Sequence, residues 1–344
     1  MITEQTEKTL ENLRRTGVFG DYAVYVRSRG ETVFLSSDGA DELSYFDVAS
    51  MGKVLITSTL ILRAAGEGRL SLDSVLPEFF AAVPDALRQV TVRHLLTHTS
   101  GIVRFTFPQE ARGYDREQLA AMMLAYPPRF APGEDMVYSC NGFILLGMIA
   151  EKVYGKPLEE LFEQYIRRPL GLVRSCFRIA VDEPNAVICY SRRDPAGQRY
   201  DDCNVRVMDR AAGSGGQFWC VRDIAAYLAA VMDRDERLYA KEMFDLAERD
   251  YTPRFSEGRG LGWLYVDGRY PQTGRLFEPG SFGHCGHTGI SMFVSRRQDL
   301  FVIVATNATR YANIKTGFSG YDYGDTMRMR AAVHNAIADD LEKR

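Results

Sequence analysis

Strand patterns lie near the two ends of this chain, and its middle is mostly helical. Residues 21–27 and 31–36 alternate apolar and polar side chains around a short turn, which is typical of a β-hairpin. A second hairpin is indicated where residues 290–294 and 300–306 flank a charged turn. This distribution predicts a discontinuous architecture, in which the two ends of the chain build one antiparallel sheet.

The helical segments follow from apolar residues that recur at three- and four-residue spacing. Helices are predicted at about residues 3–15, 50–65, 91–97, 115–126, 143–154, 157–165, 221–232, 240–248 and 325–341. The fold class is therefore α+β: an α/β sandwich, with an antiparallel sheet flanked by the N- and C-terminal helices, plus an all-α lobe from a large helical insertion. Residues 1–65 and 255–344 would form the sheet domain and 66–254 the helical domain, with the active site in the cleft between them.

The composition excludes several classes of function. The 344-residue chain has a net charge of −3 and no basic run, which disfavours a nucleic-acid role. No apolar stretch reaches the roughly 20 residues of a membrane span, and the first residues do not resemble a signal peptide. The six cysteines have no paired spacing, as expected for reduced thiols. We therefore expect a cytoplasmic protein, and the sequence leaves its oligomeric state open.

A serine and a lysine three residues apart, Ser50 and Lys53, stand where an extended segment gives way to an apolar run. In a helix that begins at Ser50, the lysine amine would lie beside the serine hydroxyl. The helix N-terminus would also favour developing negative charge. If desolvation lowers the pKa of Lys53, its amine can accept the serine proton. Alone, the pair also fits a capping serine with a solvated lysine, so other segments must decide.

Two other segments could supply the second base and the oxyanion N–H group that a serine nucleophile needs. Tyr138 lies between a turn at 131–133 and a predicted helix, and a tyrosine held near a cationic lysine can act as a second base. The glycine-rich segment 282–289 leads into the strand at 290, so a substrate could lie along its backbone and meet an oxyanion N–H group.

Together these segments resemble the serine hydrolases of the penicillin-binding-protein and class C β-lactamase-like superfamily, which includes esterases, D-amino-acid peptidases and DD-carboxypeptidases. Three motifs occur in the order and spacing of that family: Ser50-Met51-Gly52-Lys53, Tyr138-Ser139-Cys140-Asn141 and His284-Cys285-Gly286. Further matching segments are 91–101, 142–147, 212–218 with Asp223, and 261–263. The resemblance covers residues 20–340, essentially the whole chain, and implies a β-lactamase/transpeptidase-like fold.

The resemblance also implies a role for individual residues. Ser50 would be the acylated nucleophile, Lys53 its activating partner, and Tyr138 the base or proton shuttle. The oxyanion hole would consist of the backbone N–H groups of Ser50 and His287, and the flexible Gly286 precedes the latter.

Two positions differ from the commonest form of the family motifs. His284 stands where many relatives have the lysine of a K-T-G triplet, although histidine is common there in the esterase and peptidase branches. Cys140 occupies the place of the asparagine in the usual Y-x-N motif, and Asn141 follows it. Either Asn141 swings in through a local backbone change, or Cys140 lines the pocket, which is the alternative we favour. Loss of the amide would count against efficient β-lactam hydrolysis.

The main hypothesis is a serine hydrolase that needs no metal or other cofactor and acts through a covalent acyl-enzyme on a small ester, amide or peptide. Esterase or D-amino-acid peptidase activity is expected, with weak β-lactam hydrolysis at most. His94 and His98 have the spacing of a metal pair but lack an obvious third ligand. An acyltransferase that uses the same acyl-enzyme is one alternative. A catalytically silent homologue that binds a peptide or cell-wall fragment is the other.

Overall fold

The computed structural model describes residues 3–103, 106–180, 182–187, 207–208, 211–309 and 323–343. The strands are β1 Tyr22–Ser28, β2 Glu31–Ser36, β3 Phe46–Asp47, β4 Ser175–Cys176, β5 Phe218–Trp219, β6 Gly258–Arg259, β7 Leu264–Tyr265, β8 Phe282–Cys285, β9 Ser291–Ser295 and β10 Leu300–Thr306. The α-helices are α1 Glu4–Arg15, α2 Thr59–Gly66, α3 Val92–Leu96, α4 Arg116–Leu124, α5 Cys140–Tyr154, α6 Leu158–Phe162, α7 Arg168–Leu170, α8 Val221–Met232, α9 Lys241–Ala247 and α10 Tyr323–Glu342.

Seven antiparallel strands form the main sheet, in the order β2-β1-β10-β9-β8-β7-β6. Strand β1 pairs with β10 along its whole length, from Tyr22 opposite Thr306 to Ser28 opposite Leu300. This pairing joins the two ends of the chain in one sheet. The predicted α+β fold, with an antiparallel sheet built from both ends, is confirmed.

The interior strand β10 is buried at every position, because both faces of the sheet are covered. Successive side chains of a strand point to opposite faces. On β10, Leu300, Val302 and Val304 belong to one apolar core, and Phe301, Ile303 and Ala305 belong to the other. The uninterrupted apolar run in this part of the sequence therefore serves two cores rather than one.

The terminal helices α1 and α10 cover one face of the sheet. Leu10 of α1 and Val333 of α10 lie in the same core as Val302. The helices are also tied by a buried polar contact, in which the backbone N–H and the hydroxyl of Thr6 donate to the Asp340 carboxylate at 2.9 and 2.7 Å. The prediction that the N- and C-terminal helices flank the sheet is thus confirmed.

The chain between Ala49 and Gly66 differs from the single α-helix that the sequence predicts. It begins with a 3₁₀ turn at Ala49–Met51, continues as a π-helical turn at Lys53–Ser58, and becomes α2 only at Thr59. In a 3₁₀ turn, side chains three positions apart are nearly eclipsed. Ser50 and Lys53 therefore still lie on the same side of the helical segment.

A second, three-stranded sheet in the order β3-β5-β4 was not predicted, because its strands are only two residues long. It joins segments of both predicted domains. The large sheet draws its strands from 22–36 and 258–306, and α3–α9 lie between residues 92 and 247. The division into two domains stays a prediction. No helix in the described ranges is both long and apolar enough to cross a membrane.

Candidate active site

Ser50 lies in the sharp turn that follows β3. The residue before it, Ala49, has a φ of +49°, in the left-handed region that costs a non-glycine residue about 1 kcal/mol. The turn is held because the Ala49 N–H donates to Asp47 Oδ1 at 2.9 Å. A strained strand-to-helix turn of this kind presents the serine hydroxyl at the surface of a cavity.

The glycine of the first motif is required by packing. A Cβ atom at Gly52 would come within 1.7 Å of Gln217 Oε1. Gln217 is fully buried, and its amide donates to the carbonyl oxygens of Ala212 and Gly215 at 3.1 and 2.9 Å. The Gln217 side chain is therefore held in place, and only glycine fits beside it.

Lys53 has no exposed surface, and its amine lies beside the serine. Nζ is 3.1 Å from Ser50 Oγ, 2.6 Å from the Ser214 carbonyl oxygen and 3.4 Å from Cys140 Sγ. These contacts fix the amine at the end of its long side chain, so that little conformational freedom remains to be lost during a reaction.

Tyr138 is the third side chain that can exchange a proton at this site, beside Ser50 and Lys53. Its phenol interacts with both the Ser50 hydroxyl and the Lys53 amine, and its ring centre lies 5.1 Å from Lys53 Nζ. Burial raises the pKa of the Tyr138 phenol above its usual value, although the nearby Lys53 amine acts in the opposite direction. The phenol is therefore protonated at neutral pH.

His98 lies behind Tyr138, with the two ring centres 4.5 Å apart. Its Nδ1 accepts the Ser139 N–H at 3.2 Å, so the neutral ring carries its proton on Nε2. Burial is the main reason why the pKa of His98 lies well below its usual value. His98 thus supports the tyrosine segment. The described ranges contain no group of three or more His, Cys, Asp or Glu side chains placed to hold a metal ion.

The end of β8 packs directly against the turn that carries the serine. A Cβ atom at Gly286 would come within 2.7 Å of the Val48 carbonyl oxygen and 2.6 Å of Ile290 Cγ2. The Thr288 hydroxyl donates to the Asp47 carbonyl oxygen at 2.8 Å. These contacts bring the backbone around residue 287 next to the turn at residues 48–50.

His284, on β8, is only 3% exposed and lines the same cavity. Its Nδ1–H donates to the Cys285 carbonyl oxygen at 2.9 Å, so the lone pair of the neutral ring is on Nε2. That atom is buried and has no hydrogen-bond partner among the described residues. Burial, reinforced by the charges of Arg259 and Lys53, holds the pKa of His284 well below its usual value. His284 is therefore uncharged at neutral pH.

Cys140 and Asn141 stand in different surroundings at the start of α5. The Ser139 hydroxyl caps this helix by accepting the Gly142 N–H at 3.2 Å. Cys140 lines the cavity and contacts Lys53 through its sulfur, whereas Asn141 is fully buried and is not among the lining residues. Which residue takes the place of the missing amide in function stays a prediction.

These side chains surround one cavity of about 320 Å³. Six of the predicted site positions line it: Ser50, Tyr138, Cys140, His284, Gly286 and His287. Lys53 lies behind Ser50, and Asn141 lies outside the cavity wall. The glycine run at 213–216 brings backbone close to α5, since a Cβ atom at Gly213 would come within 2.2 Å of the Phe143 carbonyl oxygen.

Sequence reasoning missed several cavity residues, chiefly Glu257, Arg259, Tyr270, Gln272 and Arg330. Four of them lie in the segment 255–279, where the one recognised stretch, residues 261–263, contains none of them. Arg259 directly precedes the Gly-Leu-Gly-Trp segment, which is the nearest available signal. Arg330 lies on α10, and the apolar periodicity of that helix does not distinguish a residue that lines the cavity from one in the core.

Comparison with known proteins places this geometry in a family. The chain is 26% identical to esterase EstB of Burkholderia gladioli, a match that covers 94% of this chain and 92% of EstB. It is 26% identical to a putative D-alanyl-D-alanine carboxypeptidase of Escherichia coli O157:H7, with 76% of this chain and 68% of the relative covered. A solved class C β-lactamase superposes with a TM-score of 0.77 at 19% identity, over 97% of this chain and 96% of that structure. The family profile described as Beta-lactamase matches residues 6–315, and the chain therefore belongs to the Beta-lactamase family of serine hydrolases.

Proposed function

We propose that this protein is a serine hydrolase that forms an acyl-enzyme at Ser50 with a small ester, amide or peptide. The observation that carries the proposal is the 3.1 Å contact between Lys53 Nζ and Ser50 Oγ, with the Tyr138 ring centre 5.1 Å from the same amine. A nucleophile, a buried amine and a protonated phenol in mutual contact form the arrangement that activates a hydroxyl for attack on a carbonyl.

In the proposed reaction, Lys53 is in its neutral form when Ser50 Oγ attacks the substrate carbonyl, and its amine takes up the serine proton. The backbone N–H groups of Ser50 and His287 receive the negative charge on the carbonyl oxygen. Tyr138 then gives its proton to the leaving group and regains one from Lys53, which is why a phenol that stays protonated suits a shuttle better than a first base. Water releases the acyl group by the reverse sequence.

The remaining site residues would shape the substrate pocket. The strand that carries His284 and the adjoining Gly286 would lie along the substrate, and a neutral His284 would offer Nε2 as a hydrogen-bond acceptor. Cys140 would take the place of the missing amide, which disfavours rapid β-lactam hydrolysis. The names of the esterase and carboxypeptidase relatives support ester and peptide substrates.

The cellular location belongs to the proposal as well. None of the four cysteines in the described ranges, Cys140, Cys176, Cys220 and Cys285, forms a disulfide, which supports a reducing compartment such as the cytoplasm. Cys189 and Cys203 lie outside the described residues.

Covalent labelling tests the proposal. After incubation with a fluorophosphonate, intact-mass analysis should show one adduct, and peptide mapping should locate it on Ser50. Ser50→Ala should abolish the adduct, whereas Ser214→Ala should keep it, because Ser214 lines the same cavity but contacts Lys53 through its backbone carbonyl. An unlabelled wild-type protein would favour the silent binding homologue instead.

A substrate screen then separates hydrolysis from acyl transfer. Turnover of p-nitrophenyl esters, D-aminoacyl amides and a chromogenic cephalosporin would be measured with and without alcohol and amine acceptors. Hydrolysis predicts the same rate and the free acid as product in both series. A rate that rises with acceptor concentration, with the acylated acceptor as product, would identify the acyltransferase alternative.

A further inference from the structure

The Lys53 amine contacts a thiol as well as the serine hydroxyl. Nζ is 3.1 Å from Ser50 Oγ and 3.4 Å from Cys140 Sγ. A thiol is a stronger acid than an alcohol, so a neutral amine in contact with both takes a proton from the sulfur more readily. This contact therefore favours a Cys140 thiolate beside a Lys53 ammonium group in the resting site. The proton returns to the sulfur when Lys53 becomes the neutral base for Ser50.

Cys140 also stands at the start of a long helix. It is the first residue of α5, which has 15 residues. The unpaired N–H groups of a first helical turn favour negative charge, and a thiolate is stabilised both there and beside a lysine. Cys140 is partly exposed and lines the cavity, so a small reagent from solution can reach its sulfur.

The other cysteines of the described ranges provide a contrast. Burial raises the pKa of Cys176 to about 11 and that of Cys220 to about 12. Cys285 lines the same cavity as Cys140, but burial raises its pKa as well. These three thiols are therefore protonated at neutral pH, and Cys140 differs from them by its contact with an amine.

The cavity offers hydrogen-bonding groups to a small polar molecule. His284 is 3% exposed, and its Nε2 has no hydrogen-bond partner among the described residues. Arg259 is 4% exposed, and its Nε is buried without an acceptor in the same part of the chain. Both residues line the cavity. An unpaired acceptor and an unpaired donor suit a molecule that both donates and accepts hydrogen bonds, as hydrogen peroxide does.

We propose that Cys140 is a site of reversible oxidation, at which a peroxide switches off the acylation of Ser50. The Cys140 thiolate attacks one oxygen of the peroxide, and the O–O bond breaks as the S–O bond forms. The departing hydroxide takes a proton from Lys53 and leaves as water. The sulfur loses two electrons, the peroxide gains them, and the product is a sulfenic acid.

The sulfenic acid blocks acylation because its hydroxyl lies next to the Lys53 amine. There it competes with the Ser50 hydroxyl for the lone pair that must take up the serine proton. Dithiothreitol reverses the step, since its two thiols form a disulfide while the sulfenic acid returns to a thiol and releases water. This inference rests on the proposed hydrolase function and adds regulation to it.

Timed oxidation of wild type tests the inference. The protein is treated with hydrogen peroxide at pH 7, catalase removes the excess, and the rate of fluorophosphonate labelling of Ser50 is compared with that of untreated protein. This rate should fall with time of treatment and recover with dithiothreitol. Dimedone, which traps sulfenic acids, should form an adduct on Cys140 in proportion to the labelling lost. Loss of labelling without an adduct on Cys140 overturns the inference.

Two cysteine variants locate the sensitive thiol, each compared with its own untreated labelling rate. Cys140→Ser should lose labelling at least about tenfold more slowly than wild type, because peroxide oxidises a thiolate and not an alcohol. Cys285→Ser is the matched control: it removes the other thiol of the cavity and should lose labelling at the wild-type rate. Protection by Cys285→Ser alone, or a Cys140→Ser variant as sensitive as wild type, contradicts the proposal.

Lys53→Ala tests whether the amine activates the sulfur. Formation of the dimedone adduct on Cys140 should slow by about tenfold, because an ordinary thiol is only a few per cent thiolate at pH 7. Lys156→Ala should form the adduct at the wild-type rate, and an unchanged rate in Lys53→Ala would refute activation by the amine.

The wild-type measurements decide the inference even where a variant does not fold. If peroxide leaves the labelling rate of wild-type Ser50 unchanged, the inference fails while the proposed function stands. Absence of Ser50 labelling in untreated wild type would overturn both.

Discussion

Lys53 shows how strongly a single buried residue constrains this site. A long charged side chain is rarely buried unless its polar end is satisfied. Here the amine contacts a hydroxyl, a backbone carbonyl and a thiol, which come from three separate segments of the chain. A lysine held in this way is suited to accept and return one proton within a single reaction cycle.

Replacing Lys53 with alanine should slow acylation of Ser50 by at least about a hundredfold, because a positioned base contributes about that much. The acylation rate is measured by stopped-flow or timed mass analysis with a fluorophosphonate. Lys156→Ala is the matched control, since that lysine lies on the surface and its amine donates to Gln164. Acylation of Lys53→Ala at nearly the wild-type rate would show that another group takes the proton.

Cys140→Asn should raise the rate of acylation by a chromogenic cephalosporin. Asparagine would restore, next to Lys53, the amide that the family motif usually carries, and the amide can bind the acyl-amide side chain of a β-lactam. Cys140→Ser serves as the control, because it keeps a small polar group there without an amide. Equal rates for Cys140→Asn and wild type would argue against Cys140 standing in the amide's place.

At the scale of elements, prediction worked where a pattern was long enough. Both hairpins and the long helices α1, α5, α8 and α10 follow from periodicity over several turns or several alternations. The two-residue strands β3–β7 carry no such pattern, and tertiary contacts create them. Ser50, Tyr138 and His284 were accessible through motif spacing. Arg259 was not, because only the pairing of β6 with β7 and its packing on Tyr138 bring it to the cavity.

The turn at residues 49–52 gives a prediction for one element. Gly52→Ala should lower the free energy of unfolding by about 1–3 kcal/mol, the usual cost of overpacking, because its Cβ atom would collide with the fixed amide of Gln217. It should also slow acylation, since Ser50 and Lys53 flank the displaced residue.

Gly142→Ala is the matched control for Gly52→Ala. Its added Cβ atom would meet only ordinary contacts at 3.6 Å and beyond, and alanine favours the helix α5 that contains it. Urea unfolding gives both stabilities. Equal stability of Gly52→Ala and wild type would mean that Gln217 can move aside.

At the scale of the whole molecule, buried histidines lie on both sides of the main sheet. His98 and His284 lie at the active site. His334 lies on α10 between the rings of Phe277 and Phe293. Burial lowers the pKa of all three. The folded protein therefore resists taking up protons that the unfolded chain accepts readily, and this couples stability to pH.

His334 allows this coupling to be measured. Burial lowers its pKa to about 4, whereas an unfolded histidine has a pKa of about 6.5. Because the folded-state pKa is the lower one, the stabilising contribution is complete above pH 6.5 and is lost as the pH falls towards 4. It amounts to about 3 kcal/mol. Urea unfolding gives the free energy of unfolding of wild type and of His334→Gln, each expressed relative to the value of the same protein at pH 7. As the pH falls towards 4, this free energy should decrease less in the variant than in wild type, by about 3 kcal/mol. Equal decreases in wild type and variant would contradict the role of His334 and would show that other groups cause the pH dependence.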